Sequence, residues 1–218
     1  MRHTYVVAIS AGALAMAGCG SEPPDDVPGE TAVVSPAPAA SPDVIGADGE
    51  AFWTSLYQEA DYVEQHESLT AMGEASDLVV VARPADFEVG TVIEDEEAPE
   101  GSVVFGFMRL QDVDVIAGEL RADSVQVAFW MPGRPENARE SVAEADSSLP
   151  QAPALFFLRE TDDSGPTVYR LVNGNGLWIH TADGFAVPLS VQGADLAMLS
   201  EADAAADLTA LAQQATEP

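Results

Sequence analysis

The stretch LVVVA at residues 78–82 decides the fold class of this 218-residue chain. A short, continuous apolar run of this kind is typical of a strand that is buried on both of its faces. Downstream, apolar residues alternate from Val103 to Phe107 and predict a long strand that ends at Gly118, with Gly106 at a bend. The middle of the chain is therefore expected to be built from strands.

Shorter strands are predicted on the carboxyl side of this long strand, because short apolar segments alternate there with turn residues. The predicted strands cover Val125–Trp130, Ala154–Arg159, Thr167–Val172, Leu177–His180 and Phe185–Leu189. The sequence Asn-Gly-Asn-Gly at 173–176 indicates a hairpin, since both residue types tolerate the positive φ angles that tight hairpins need. The polar, proline-bearing segment 133–153 is predicted to be a long loop.

Helices are predicted near both ends of the folded part. Apolar residues recur at helical spacing over about 50–65 and again over 194–213, and Ser68 is a candidate cap for a short second helix. We therefore expect a mainly β (α+β) fold, a small OB-like β-barrel or sandwich with amino-terminal and carboxy-terminal helices. The barrel domain with its amino-terminal helix is assigned to 49–190, and the final helix and tail to 191–218.

The amino terminus has the features of an export signal. Arg2 precedes an uncharged apolar stretch, Tyr5–Ala17, which is too short to span a bilayer as a mature helix. The sequence Met16-Ala17-Gly18-Cys19 resembles the lipobox of bacterial lipoproteins, although Met16 replaces the usual leucine. The resemblance implies that the signal peptide 1–18 is removed and that Cys19 carries a lipid. An ordinary secretory signal with a cysteine near its cleavage site is the alternative.

The segment that follows the cysteine is predicted to be a disordered linker. Residues 19–48 hold six prolines together with small and acidic residues, and they contain no aromatic residue. Such a composition does not bury enough apolar surface to offset the entropy lost on ordering the backbone. Behind a lipid anchor, a proline-rich linker of this type acts as a spacer that holds a domain away from the membrane.

Part of the barrel resembles a group of secreted actinobacterial proteins. The likeness covers about residues 70–190 and rests on Ser76–Arg83, on Asp114–Leu120 at the end of the long strand and on Tyr169–Gly176. Those proteins are similar to the OB-type barrels of netrin-like and metalloproteinase-inhibitor domains. The inhibitors act through a free amino-terminal cysteine held by disulfides, which this chain lacks, so the resemblance implies a fold and no activity.

The charge of the chain excludes one class of partner. There are 37 acidic residues against 8 basic ones, all arginine, which gives a formal net charge of −29. Such a surface repels the phosphates of nucleic acids and anionic lipids, so we expect no nucleic-acid partner. We expect instead a membrane attachment through the lipid on Cys19, with a protein or glycan as the possible partner.

Familiar catalytic motifs are missing from the sequence. No HExxH, GxSxG, P-loop, GxGxxG or CxxC pattern occurs, and the two histidines beyond the signal, His66 and His180, have no histidine at ligand spacing. We therefore expect no catalytic residues, no enzymatic activity and no cofactor. A hydrolase of unrecognised type, with its residues assembled only by tertiary folding, stays open as the alternative.

Two groups of residues are candidates for a binding site. Trp130 and Trp178 would serve a sugar or a protein partner if they are exposed, whereas covering helices would make them core residues. The acidic residues of two loops offer hard oxygen ligands for calcium, although no EF-hand pattern is present and solvated loops are the alternative. These calcium candidates are Glu94, Asp95, Glu96, Glu97, Asp162 and Asp163.

The combination of anchor, spacer and barrel predicts the class of function. We expect a membrane-anchored, extracytoplasmic cell-surface lipoprotein whose domain is non-enzymatic and binds a protein partner or an envelope ligand. A calcium-binding envelope protein, an extracytoplasmic hydrolase and a purely structural envelope protein are the alternatives that the sequence leaves open.

Overall fold

A single sheet with flanking helices accounts for most of the chain that the structure describes. The computed structural model describes residues 43–56, 65–93, 103–131, 135–161, 167–189 and 196–217. The predicted signal peptide, Cys19 and most of the predicted linker lie outside these residues. Both acidic loops that carry the calcium candidates, at 94–97 and 162–163, also lie outside them.

Within the described residues the chain forms five helices and seven strands. In chain order they are α1 Ala47–Ser55, α2 Leu69–Glu74, β1 Leu78–Ile93, β2 Val103–Gly118, β3 Gln126–Met131, α3 Pro135–Ser147, β4 Ala154–Glu160, β5 Tyr169–Leu171, β6 Leu177–Thr181, β7 Gly184–Ala186, α4 Leu196–Ala202 and α5 Leu208–Thr216. None of these helices is long and apolar enough to cross a membrane.

Five of the strands close into a barrel. Their order is β1-β2-β3-β5-β4, and β1 closes the barrel by pairing with β4 as well as with β2. The pairs are antiparallel except for β3 and β5, which run parallel and meet at Val127 and Tyr169. The remaining strands, β6 and β7, extend the sheet beyond β4. The expectation of a mainly β fold with a barrel is confirmed.

Strands β1 and β4 are buried on both faces where they pair, as the run at 78–82 predicted. One face of this pair, with Val80 and Phe156, belongs to the core inside the barrel. The other face, with Val79 and Phe157, belongs to a second core. Helices α2, α4 and α5 supply the other side of that second core, through residues such as Met72, Met198 and Leu211. This three-layer arrangement explains why the paired segments 78–82 and 154–158 are apolar at every position.

The segment 133–153 is not a long loop, because α3 occupies Pro135–Ser147. Ala138, Val142 and Ala145 recur at helical spacing and are buried in the core of the barrel. The other residues of the helix from Asn137 onward are exposed and mostly polar or charged, and this polar surface concealed the narrow apolar stripe. The proline at the start suits a helix, since it has no N–H to leave unpaired in the first turn.

The sequence at 173–176 does not form a hairpin. Strands β5 and β6 do not pair with each other; both run antiparallel to β4 along the same edge. The N–H of Phe157 donates to the oxygen of Gly176, and the oxygen of Phe157 accepts from the N–H of Val172. The intervening residues therefore bulge out of one continuous edge. None of them has the positive φ angle that the predicted hairpin turn requires.

The helices near the two ends differ from their predicted extents. Helix α1 ends at Ser55 and begins at Ala47, ahead of the predicted start, while residues 57–64 lie outside the described residues. The segment 194–213 contains two helices, α4 and α5, instead of one. Asp207 starts the second, because its carboxylate accepts a hydrogen bond from the N–H of Ala210 at 2.8 Å. The cap predicted at Ser68 is confirmed, since its hydroxyl accepts from the N–H of Ala71.

Candidate binding face

The outer surface of β1, β2 and β3 carries aromatic side chains that the core does not use. In β2 the even-numbered residues from Val104 to Leu110 point into the barrel, so Phe105 and Phe107 lie on the opposite side. Trp130 of β3 lies directly opposite Phe105 in the register. It is 43% exposed, whereas the two phenylalanines are half-buried. We call these three residues the aromatic face.

Glycine makes room for the ring of Phe107 on this face. A Cβ atom built at Gly90 of β1 would come within 2.6 Å of three atoms of that ring. Because Gly90 has no side chain, the phenylalanine lies against the backbone of the neighbouring strand. The ring therefore forms part of a surface fixed by two strands, which favours a pre-formed contact area.

An ion pair borders the aromatic face along β2. Arg109 follows Phe107 on the same side of the strand, and its guanidinium donates to the carboxylate of Asp86 through Nε, at 2.7 Å, and through Nη2. The hydrogen bond to Asp86 and the negative charge of Asp86 raise the pKa of Arg109, and the charge of Glu88 raises it further. The positive charge of Arg109 is therefore balanced by the carboxylates of Asp86 and Glu88.

A groove of about 420 Å³ adjoins this ion pair. Leu110, Val113 and Leu120 give it apolar walls, and Arg109, Asp112 and Asp123 give it charged ones. Since Arg109 belongs both to the groove and to the outer surface of β2, the groove continues the aromatic face towards the β2–β3 connection. We call it the acidic groove.

Asp112 has an unusual backbone conformation in the wall of the acidic groove. Its φ angle is 51°, the only positive value among the non-glycine residues that the structure describes. The pairing of β1 and β2 shifts register at this point, between the pairs formed by Val81 and Arg83. The resulting bulge turns the carboxylate of Asp112 towards Arg83, whose Nη1 lies 3.2 Å away.

The two tryptophans proposed from the sequence have opposite environments. Trp130 is exposed, as its parity relative to Val127 and Phe129 predicted. Trp178 is fully buried in the second core, against residues of α4 and α5 that include Met198 and Leu211. The alternative of a covering helix therefore holds for Trp178, and this side chain is not an exposed contact residue.

The described residues contain no group of three or more His, Cys, Asp or Glu that is arranged to hold a metal ion. The calcium candidates Glu94, Asp95, Glu96, Glu97, Asp162 and Asp163 are not among the described residues, so calcium binding there stays a prediction. Cys19 also lies outside the described residues, so its lipidation stays a prediction.

The ring of His180 stacks on that of Phe185, with ring centroids 4.8 Å apart.

Three residues of this surface were not singled out from the sequence as contact residues. The alternation at Phe105 and Phe107 predicted the strand but does not show which face meets the core, because both faces of β2 are apolar there. Asp112 carries no sequence signal beyond being one acidic residue among 37.

No protein-family model, curated protein or solved structure matches this chain.

Proposed function

We propose that the protein is a lipid-anchored cell-surface domain that binds a partner through the aromatic face. The observation that carries this proposal is the exposure of Trp130 beside two further aromatic rings on one sheet surface. A large aromatic side chain left in water costs free energy, and binding regains it. Exposed tryptophan is also among the residues that contribute most to the energy of protein interfaces.

The barrel is proposed to be of the OB type. Three features support this: the strand order β1-β2-β3-β5-β4, the parallel contact between β3 and β5, and the position of α3 between β3 and β4. OB folds bind their ligands on the surface of the second and third strands. The aromatic face occupies that surface in this chain, so the fold and the exposed residues suggest the same location.

The membrane attachment is proposed to run through Cys19. The lipobox-like sequence Met16-Ala17-Gly18-Cys19 and the proline-rich segment behind it support an anchor with a spacer. Metabolic labelling with a fatty-acid analogue tests this part separately. We expect the wild-type chain to be labelled and the Cys19→Ser variant to be unlabelled, and equal labelling of both would reject the anchor.

The proposed role is binding without catalysis. The aromatic face and the bordering ion pair between Arg109 and Asp86 supply recognition but no nucleophile with an adjacent base. An extracytoplasmic hydrolase is the competing proposal, and it predicts turnover of a substrate that does not depend on Trp130.

In-cell photo-cross-linking tests the binding role. A photoreactive phenylalanine analogue is placed at residue 130 of the full chain, and a matched control carries it at the exposed residue Arg170 of β5. We expect a discrete cross-linked product from position 130 that is absent from position 170, and we expect Cys19→Ser to abolish it. The same products from both positions, or none from position 130, would contradict the proposal.

A further inference from the structure

We infer that the aromatic face and the acidic groove together bind a cationic polypeptide segment in which arginine or lysine alternates with apolar residues. The inference rests on the proposed binding function and assigns the chemistry of its partner. It follows from the charge of the surface, from the shape of the acidic groove and from the spacing of the residues along β2.

The two arginines near this surface do not make it positive, because carboxylates pair with both of them and outnumber them. Arg109 is paired with Asp86, and Arg83 is paired with Asp112, so neither guanidinium is left to attract an anion. Glu88 and Asp123 are exposed as well. Together with the net charge of −29, these carboxylates repel an acidic partner and attract a basic one.

The aromatic face suits the cationic groups of such a segment. A guanidinium or ammonium group is attracted to the face of an aromatic ring, most strongly to that of tryptophan. Trp130 offers an exposed indole, and Phe105 lies opposite it across β2 and β3. The same rings also bury apolar side chains, so a segment that carries both kinds of residue uses the whole face.

The acidic groove suits a long basic side chain. Leu110, Val113 and Leu120 would line the aliphatic stem. Asp123 would receive the charged end together with Oδ1 of Asp112, the oxygen that does not bind Arg83. A neutral sugar ring stacks on Trp130 equally well and its hydroxyls donate hydrogen bonds to carboxylates, but it carries no positive charge to balance those of Asp112 and Asp123. An anionic glycan or a phosphate ligand is repelled by them.

The two parts of the surface are spaced for an extended chain. Phe105 and Asp112 are seven residues apart on β2, which corresponds to about 23 Å at the rise of a strand. An extended segment of about seven residues therefore reaches from the aromatic face to the acidic groove. Its alternate side chains point to the same side, as the alternate residues of β2 do.

Tryptophan fluorescence of the full chain in detergent tests the inference. Trp53 and Trp178 are fully buried, so acrylamide quenching of the exposed indole reports on Trp130. The probes are a ten-residue peptide that alternates arginine and leucine, its counterpart with glutamate in place of arginine, and a neutral β-1,4-linked glucose hexamer. We expect the arginine peptide alone to protect Trp130, with an affinity that falls about tenfold between 50 and 300 mM salt as charges are screened.

Matched variants separate specific binding from general attraction to an acidic protein. The double variant Glu88→Gln with Asp123→Asn removes one charge beside Phe107 and one from the acidic groove, and Glu140→Gln with Glu144→Gln removes two from α3. We expect the first pair to weaken binding at least fivefold and the second to change it less than twofold. Equal weakening by both pairs would overturn the inference, since it would show non-specific binding.

The remaining outcomes separate the inference from the proposed function. Protection of Trp130 by the glucose hexamer or the glutamate peptide, without protection by the arginine peptide, overturns the cationic occupant and leaves the binding face standing. A cross-link from position 130 in cells, without protection of Trp130 by any of the three probes, likewise overturns the cationic occupant and leaves the binding face standing. Absence of protection together with absence of cross-linking from position 130 rejects both proposals.

Discussion

The carboxylate of Asp146 on α3 accepts a hydrogen bond from the backbone N–H of Phe87 on β1, at 2.8 Å. Strand β1 pairs with β4 only as far as Ala82, so Phe87 lies where β4 no longer covers the edge of β1. A side chain of the connecting helix takes over the role of the missing strand. Protection of an exposed strand edge by a neighbouring helix also limits unwanted pairing with other chains.

Replacement of Asp146 by alanine is expected to lower stability. The variant loses a hydrogen bond to a charged acceptor and leaves the N–H of Phe87 without its partner, which costs about 1–2 kcal/mol at this partly exposed site. Urea denaturation measures the change in the free energy of unfolding. Glu140→Ala on the same helix, an exposed residue, is the control and should change stability by less than about 0.5 kcal/mol. Equal values for the two variants would show that the hydrogen bond contributes nothing.

Gly73 is expected to be required for the contact between α2 and α5. Alanine favours a helix over glycine by about 1 kcal/mol, so propensity alone predicts stabilisation. However, a Cβ atom at this position would overlap the backbone oxygen of Ala215. Overpacking of this kind costs about 1–3 kcal/mol and acts on backbone that has no rotamer to change. We therefore expect Gly73→Ala to be destabilising overall.

Thermal unfolding of Gly73→Ala and of Glu74→Ala distinguishes packing from propensity. Glu74 is exposed on the same short helix, so its replacement by alanine tests propensity without a clash. We expect a lower Tm for the glycine variant and an unchanged or higher Tm for the control. A raised Tm in both would mean that α2 moves away from α5 at no cost.

The sequence predicted the parts of the fold that depend on local pattern. Residues 78–82 and 154–158 are apolar at every position because two cores lie on their two sides, and this pattern is visible without a structure. The end of β2 at Gly118 was also predictable. At φ +87°, this residue is in a conformation that favours glycine, and a Cβ there would overlap the backbone of Asp77.

Other features depend on tertiary contacts that local pattern does not encode. The stripe on α3 consists of two alanines and one valine, Ala138, Val142 and Ala145, which is a weak apolar signal among acidic residues. The bulge at 173–176 and a hairpin use the same residue types, and only the shared partner β4 decides between them. For the candidate site, parity located Trp130 on the outside, but the same alternation gave no means of knowing that Trp178 is covered by helices.

The strain at Asp112 is expected to be measurable by comparing two substitutions. Asp112→Gly and Asp112→Ala both remove the carboxylate that pairs with Arg83, so the loss of this exposed ion pair is common to them. They differ in backbone freedom, since glycine adopts a φ of 51° without steric cost and alanine does not. We expect the glycine variant to be more stable by about 1 kcal/mol. Chemical denaturation provides the comparison, and an equal or lower stability of the glycine variant would exclude strain at this bulge.

Tyr169 is expected to make the protein sensitive to alkaline pH. Its side chain is buried at the meeting point of β3 and β5, and burial raises the pKa of its hydroxyl. The backbone of Arg121 lies close enough to oppose this increase, but the hydroxyl has no hydrogen bond of good geometry among the described residues, so burial dominates. The neutral phenol is therefore the form that the fold favours.

The sign of the pH dependence follows from which state releases the proton first. In the unfolded chain a tyrosine ionises near pH 10, whereas burial raises the pKa of Tyr169 in the folded chain, so the fold holds this proton to a higher pH. The stabilising contribution is complete below about pH 10 and is lost as the pH rises towards the folded-state value, at up to about 1.4 kcal/mol per pH unit. The free energy of unfolding of the wild type should consequently fall between pH 10 and 11.

Substitution of Tyr169 by phenylalanine isolates this effect, because the ring and its packing are kept while the ionisable group is removed. We expect Tyr169→Phe to match or exceed the stability of the wild type at pH 8, since the buried hydroxyl has no hydrogen bond of good geometry to any residue that the structure describes. Its stability should also fall less steeply above pH 10. Urea denaturation at pH 8, 10 and 11 provides both values, and an identical slope in the two proteins would mean that Tyr169 ionises in the fold as readily as in water.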